Sequence, residues 1–206
     1  MNTGGREEQI LDEASRIMRE LGYHGASMQE IADRCGLQKG SLYHYFSSKE
    51  EILDRILARS MENFRPGLEP IVKGDLKPPE KLRQAIIHHI TALCADLANS
   101  SVLFSEFRQL PQSHRQRVGS SRRAYSERFR EILREGIAEG YFRKVDVRLA
   151  SFAIFGAMNW VYQWYAPDGP QTPEEIAESF ADLIQAALLM SAPQSTQRPS
   201  KEAAMR

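Results

Sequence analysis

An all-α fold is predicted for this 206-residue chain by three observations. Apolar residues recur at three- and four-residue steps along most of its length, and no stretch alternates with the period of two that a strand needs. Helix start and stop signals punctuate those stripes. Hydrophobic residues make up 42% of the chain, enough for the core of a globular protein of one or two small domains.

The first helix carries Ile10, Leu11, Ala14, Ile17, Met18 and Leu21 on one face and runs into the turn Gly22-Tyr23-His24-Gly25. Ser27 and Glu30 fit a capping box, in which each side chain satisfies an orphan N–H of the other residue. Ile31, Ala32 and Cys35 share the buried face of the second helix. Gly36 ends it, taking a left-handed conformation at no steric cost. Leu37 is the apolar plug, and a short third helix is expected from Gln38 to Tyr45, with Leu42 and Phe46 turned to the core. Ser48 and Glu51 start a fourth helix with a second capping box. Its stripe is Ile52, Leu53, Ile56, Leu57, Met61 and Phe64, and Pro66-Gly67 should kink or interrupt it.

Lys77-Pro78-Pro79 breaks the chain and opens the next helix, striped by Leu82, Ala85, Ile86, His89, Ile90, Leu93, Cys94 and Leu97. A shorter helix is expected over residues 100–110. A long one follows Pro111, with Tyr125, Phe129, Ile132, Leu133 and Ile137 inward, and ends at Gly140. Another runs from near Asp146 to Pro167. Thr172-Pro173-Glu174-Glu175 reads as cap, proline and acids at the start of the last helix, striped by Ile176, Phe180, Leu183, Ile184, Ala187 and Leu188. Residues 192–206 have no periodicity and read as a disordered tail. The expected organisation is a first domain over 1–50, a second over 51–191, and that tail.

The third helix has an unusual outward face. A solvated helix surface normally alternates Glu, Lys and Arg; here Lys39, Ser41, Tyr43, His44 and Tyr45 face outward or sideways, and no acid lies between Asp33 and Glu50. Hydroxyls bond phosphate oxygens or base edges, and a lysine reaches a guanine edge. Gly40 lets the backbone approach another surface closely. Lys49 sits in the first turn of a helix, where the backbone N–H groups already favour an anion such as a DNA phosphate.

LQKGSLYHYFSSKEEIL, preceded by the first helix and its glycine turn, resembles the recognition helix and following helix of TetR-type transcriptional repressors. The likeness covers roughly the first 60 residues. It implies an all-helical homodimer, with an N-terminal helix-turn-helix domain and a larger C-terminal domain that takes a small-molecule inducer. On that reading Lys39, Ser41 and Tyr43 read or abut bases of double-stranded operator DNA. Tyr45, His44, Ser27 and Lys49 hold phosphates, and Gln29, Gln38 and Gly40 complete the interface.

Composition argues against a strongly electrostatic mode. Net charge is zero, and residues 1–60 hold eight Lys/Arg against ten Asp/Glu. The expected consequence is modest affinity per domain, raised by dimerisation, with a shallow salt dependence. Cys35 and Cys94, the chain's two cysteines, both fall on apolar helical faces and read as buried thiols of a cytoplasmic protein.

Residues 149–167 contain no charge, which invites a membrane-spanning reading. Ser151, Asn159 and Gln163 interrupt it, as do the interspersed Trp160, Tyr162 and Trp164. A helix apolar all round is buried on both sides, here against its own domain and a second subunit. The expectation is therefore a four-helix interface across a two-fold axis, built with the final helix as TetR-type proteins build it, and no membrane partner.

No catalytic or metal site is expected and no cofactor is implied. His88 and His89 are adjacent, about 100° apart on a helix. No HExxH or paired Cys/His spacing occurs. His89 lies on the apolar stripe and reads as a core or pocket-lining histidine. Residues 108–123 are more suggestive, with Arg108, Arg115, Arg117, Arg122 and Arg123 plus His114 and no acid. Positive charge at a helix start meets the unfavourable end of the dipole, and arginine forks suit phosphates. Phe104, Phe107, Met158, Trp160, Tyr162 and Trp164 are candidate lining for an apolar tail. LFSEFRQL, GAMNWVYQWYAPDG and EEIAESFADLI resemble the acyl-CoA-responsive branch of the same family. That likeness implies an acyl-CoA or similar amphiphile as inducer and control of lipid or aromatic-acid degradation genes. The alternatives are a multidrug- or other hydrophobic-ligand-responsive regulator, and a helical small-molecule-binding protein that does not bind DNA.

Overall fold

The computed structural model describes residues 3–189; the stretch 192–206, expected as a tail, lies outside the described residues. Within them the regular elements are helices: α1 (Thr3–Gly25), α2 (Met28–Arg34), α3 (Lys39–Leu42), α4 (Lys49–Lys73), α5 (Pro78–Ala95) and α6 (Leu97–Ser105). After a 3₁₀ turn (Phe107–Gln109) come α7 (Gln112–Ala138), α8 (Val147–Asn159), α9 (Val161–Trp164) and α10 (Pro173–Leu188). An isolated antiparallel bridge joins Phe142 to Leu189.

The local signals act as their chemistry dictates. Gly22, Gly36 and Gly140 take positive φ, at the kink near the end of α1 and after α2 and α7. The Leu37 N–H reaches back to the Ala32 carbonyl at 2.8 Å, closing α2 around Gly36. Thr172 and Glu175 form a complete capping box. The two earlier boxes are only half made. Ser27 and Ser48 each accept the expected backbone N–H, but Glu30 pairs with Arg34, and Glu51 bonds the N–H and hydroxyl of Ser47.

Three expectations need correction. Helix α4 runs unbroken through Pro66 and Pro70. Tertiary packing against α5, α6 and α7 outweighs two missing N–H donors. Gly67 leaves room there for the His88 ring, whose Nε2 donates to the Phe64 carbonyl at 2.8 Å. The helix expected to reach Pro167 breaks at Trp160, directly after Asn159, whose side chain is held by His89. Cys94 is buried, but Cys35 is only half-buried. Burial pushes both thiols up, Cys94 to about 11, which disfavours the thiolate a redox sensor would need.

One continuous apolar core runs from α1 to α10. Helix α4 is its spine, touching α1 near the head and α5, α6 and α7 beyond it. Polar ties cross the same junction. Ser15 of α1 meets Asn99 of α6, Asp12 pairs with Arg59, and His24 Nε2 lies 3.0 Å from Gln109 Oε1. Among the described residues no helix is long and apolar enough to cross a membrane.

Candidate nucleic-acid interface and ligand cavity

The outward face of the third helix survives as a surface. Leu42 and Phe46 are buried, while Gln38, Lys39, Gly40, Tyr43 and His44 are exposed and Ser41 and Tyr45 half-buried. Regular helix covers only Lys39–Leu42, and a tightened turn carries the chain on to Phe46. Among the described residues, no side-chain hydrogen bond to the protein engages Gln38, Lys39, Ser41, Tyr43, His44 or Tyr45. Gly40 has open space where a side chain would project. Ser27 accepts from the Glu30 N–H, and Gln29 donates to Asp33 at 2.8 Å.

Lys49 departs from its expected role. Its ammonium donates to the Tyr23 carbonyl at 2.8 Å and to the Ala26 carbonyl at 2.7 Å, and sits 4.3 Å from the centre of the Tyr23 ring. An ammonium has three donors, so two are spent on fixing the turn between α1 and α2. Lys49 is first a strut of the head, with one donor left for a phosphate.

In the second domain a cavity of about 300 Å³ opens between α4, α5, α6, α7 and α8. Met61, Phe64, Leu103, Phe104, Phe152 and Phe155 give it apolar walls, and His89, Arg122, Tyr125, Ser126 and Asn159 are its polar contributors. His89 is buried, stacked on Phe64 at 4.9 Å, with Nδ1 3.2 Å from the Tyr125 hydroxyl and Nε2 3.0 Å from Asn159 Oδ1. Burial pushes His89 down to about 3, so the ring is neutral, and burial raises the Tyr125 hydroxyl, which keeps its proton.

That depression has a pH consequence. The unfolded histidine takes up a proton below its ordinary 6.5 and the folded one does not until about 3. Between those values the unfolded state holds more protons, so stability falls as pH drops through the window. At pH 5 the loss from this group should approach about 2 kcal/mol. Thermal melts of the wild type and His89→Phe at pH 7.5 and 5.0 check it. The variant should show the smaller acid destabilisation by that amount, and equal slopes would refute the burial argument.

The arginine cluster divides. Arg117 pairs with buried Asp54 near the start of α4, and His114 Nδ1 approaches the same carboxylate at 3.2 Å without hydrogen-bond alignment. Arg115, Arg122 and Arg123 instead line a groove with Phe107, Gln112, Gln116 and Gly119, and Arg108 is exposed in the 3₁₀ turn. Among the described residues, none of Arg115, Arg122 and Arg123 is paired with a carboxylate. Arg122 borders both the groove and the cavity, with its guanidinium 4.7 Å from the Phe107 ring centre.

Of the other expected lining residues, Phe104 borders the cavity, and Tyr162 packs on the Phe104 ring at 5.7 Å without lining the cavity. Three more do not line it either. Met158 is sealed in the core, Trp160 is 62% exposed, and Trp164 stacks on Phe180 of α10. A charge-free run does not say which of its sides meets a cavity. Phe152, Phe155 and Asn159, from the same run, were missed; they fall three and four residues apart, on one helical face.

The segment from α8 to α10 also leaves an unpartnered apolar surface. Leu149, Phe152, Trp160, Trp164 and Leu183 are all exposed, and a groove of about 570 Å³ lies between α8 and α10, lined by Ala153, Ala157, Phe180, Ile184 and neighbours.

Comparison with known proteins accounts for both halves. The description "Bacterial regulatory proteins, tetR family" matches residues 10–56, and "Tetracyclin repressor-like, C-terminal domain" matches residues 75–188. The chain is 32% identical over 178 residues to the fatty acid metabolism regulator protein of Bacillus subtilis (strain 168), spanning 85% of this chain and 92% of that one. It is similar to the solved TetR family transcriptional regulator PfmR from Thermus thermophilus, at 34% identity over 86% of this chain and 97% of that one, with a TM-score of 0.80. It is similar also to AibR in complex with isovaleryl coenzyme A and operator DNA, at 30% identity over 86% and 97%, with a TM-score of 0.79. These relatives are regulators, not enzymes. The chain belongs to the TetR family of bacterial transcriptional regulators.

Proposed function

We propose that the protein is a cytoplasmic repressor that binds a palindromic operator as a homodimer and is released by an acyl-CoA thioester, controlling lipid or aromatic-acid degradation genes. Residues 1–50 form the DNA-binding domain and residues 51–191 the ligand-binding and dimerisation domain, with α4 carrying the connection. Two copies of the Gln38–Tyr45 segment enter successive major grooves. Ser27, Gln29 and the last donor of Lys49 contact the backbone beside them.

The observation that carries the ligand class is Arg122, a half-buried cation without a carboxylate partner among the described residues, which borders an apolar cavity on one side and a basic groove on the other. An amphiphile with an apolar head and phosphates fits both. AibR, with isovaleryl coenzyme A bound, supports the same class. A volume near 300 Å³ is at the low end of the range for ligand clefts, about 300–1,000 Å³, which favours a short or compact acyl group over a long chain. The multidrug reading has less support, because no buried carboxylate borders the cavity to receive a cation.

Transmission follows from α7. Arg115, Arg122 and Arg123 face the ligand, while Arg117, on the same helix, pairs with Asp54 of α4. A ligand that draws on the groove arginines shifts the grip on α4 and changes the spacing of the two heads. The ligand must bind the splayed state better, and the coupling is reciprocal.

The test is an electrophoretic shift with the protein's own promoter and a panel of acyl-CoAs, free CoA, fatty acid and cationic dyes. Short acyl-CoAs should release the DNA and free acids should not. Arg122→Ala should raise the acyl-CoA concentration needed about tenfold or more, since charge-assisted bonds contribute about 1.5–3 kcal/mol. Release by dyes and not by CoA esters would overturn the ligand class.

A further inference from the structure

Besides Arg122, the cavity wall carries one hydrogen-bond donor group that the protein holds in place and, among the described residues, leaves unused. A neutral imidazole has one donor and one acceptor nitrogen. His89 Nε2–H faces Asn159 Oδ1 at 3.0 Å, so Nδ1 must accept from the Tyr125 hydroxyl at 3.2 Å. Hydrogen bonding therefore runs in one direction, Tyr125 to His89 to Asn159, and ends on the amide oxygen. The Asn159 NH₂ group is left with its two donors, and among the described residues they meet no acceptor, although the residue borders the cavity.

Arg122, the other donor on these walls without a side-chain hydrogen bond among the described residues, also borders the basic groove. Ser126 sits on the same wall, but its hydroxyl donates to the Arg122 carbonyl at 2.9 Å. The walls contributed by Phe64, Phe104, Phe152 and Phe155 are aromatic. His89 is itself clamped between the Phe64 ring and its two polar partners, so it has little freedom to turn. Helix α8 ends at Asn159, and the chain turns at Trp160. A purely apolar ligand that covered Asn159 would take the amide donors from water without giving them an acceptor, which costs free energy.

Building on the acyl-CoA reading above, we propose that Asn159 is the residue that recognises the acyl carbonyl, donating from its side-chain amide to that oxygen, with His89 as the residue that positions it. The cavity then selects ligands by a carbonyl at the junction of apolar tail and carrier as well as by tail size. Saturated apolar groups of the same shape bind less well because they leave the amide donors unpaired.

The test compares butyryl-CoA with S-butyl-CoA, the thioether in which a methylene replaces the carbonyl, by calorimetric titration of the full-length protein. Wild type should prefer the thioester roughly three- to tenfold, as for one hydrogen bond. In Asn159→Leu the preference should collapse to about one. In His89→Phe, which keeps the ring stack on Phe64 but frees the amide to rotate, it should also fall. Simple loss of packing would weaken both ligands alike and leave the ratio unmoved. Equal binding of the two ligands by the wild type overturns the proposal and leaves the acyl-CoA reading standing, and needs no variant to fold. An unchanged ratio in Asn159→Leu also overturns it. If neither ligand binds the wild type, the acyl-CoA reading fails and this proposal fails with it.

Discussion

Replacing Leu183 with Glu should convert the protein to monomers and lower operator affinity by about a hundredfold or more. Leu183 is 70% exposed on α10, so in the isolated subunit a carboxylate there remains in water and folding should be unaffected. In a four-helix interface formed by α8 and α10 with their symmetry mates, the same carboxylate would be desolvated without a partner, at a cost of several kcal/mol per charge. The DNA penalty follows from linkage of the two half-sites, where holding a second head in place is worth about 10²–10⁴ in apparent affinity. Sedimentation or light scattering reads the mass, and a shift assay on full and half operators reads the affinity. A Leu183→Glu protein that remains dimeric would show that the apolar face of α8 and α10 is not the subunit interface.

How much of this was legible in the sequence depends on how local each signal is. Caps and stops rest on contacts within one turn, so Gly36, Gly140 and Thr172 act where the sequence puts them. The proline signal at 66–67 failed because helix α4 is held from three sides, and packing by α5, α6 and α7 overrides a local penalty. The strut role of Lys49 was illegible for the opposite reason. Nothing in its neighbours announces that the carbonyls of Tyr23 and Ala26, more than twenty residues earlier, will converge on its ammonium. The arginine run reads as one patch along the chain, yet a helix fans it out. Arg117 goes to Asp54 and Arg115, Arg122 and Arg123 to the groove, a division fixed by where α4 crosses α7. His89 was legible as a pocket-lining histidine from its place on the apolar stripe. Its link to Asn159, 70 residues away, was not.

The second large effect concerns the head itself. Lys39→Ala with Tyr43→Ala should abolish measurable operator binding, a loss on the order of 10³ or more, since base contacts contribute about 1–3 kcal/mol each and every substitution counts twice in a dimer. Both side chains are exposed and, among the described residues, make no hydrogen bond to the protein, so the double variant should melt close to the wild type. Gly40→Ala separates a contact from a close approach. The position is helical, has ordinary φ and opens on empty space, so the methyl should stabilise the fold by about 0.5–1 kcal/mol. If the α3 backbone lies against DNA, the same methyl should weaken binding while stability rises. Salt provides the cross-check. Within residues 1–60 acids outnumber basic residues, and Lys49 has two of its three donors committed. Few phosphate contacts are therefore available per head, and the dependence of affinity on salt should be shallow. If Lys39 contacts a phosphate rather than a base, its removal should also reduce the log–log salt slope by about one per subunit. Full-strength binding by the Lys39→Ala, Tyr43→Ala protein would remove the α3 face as the reading surface.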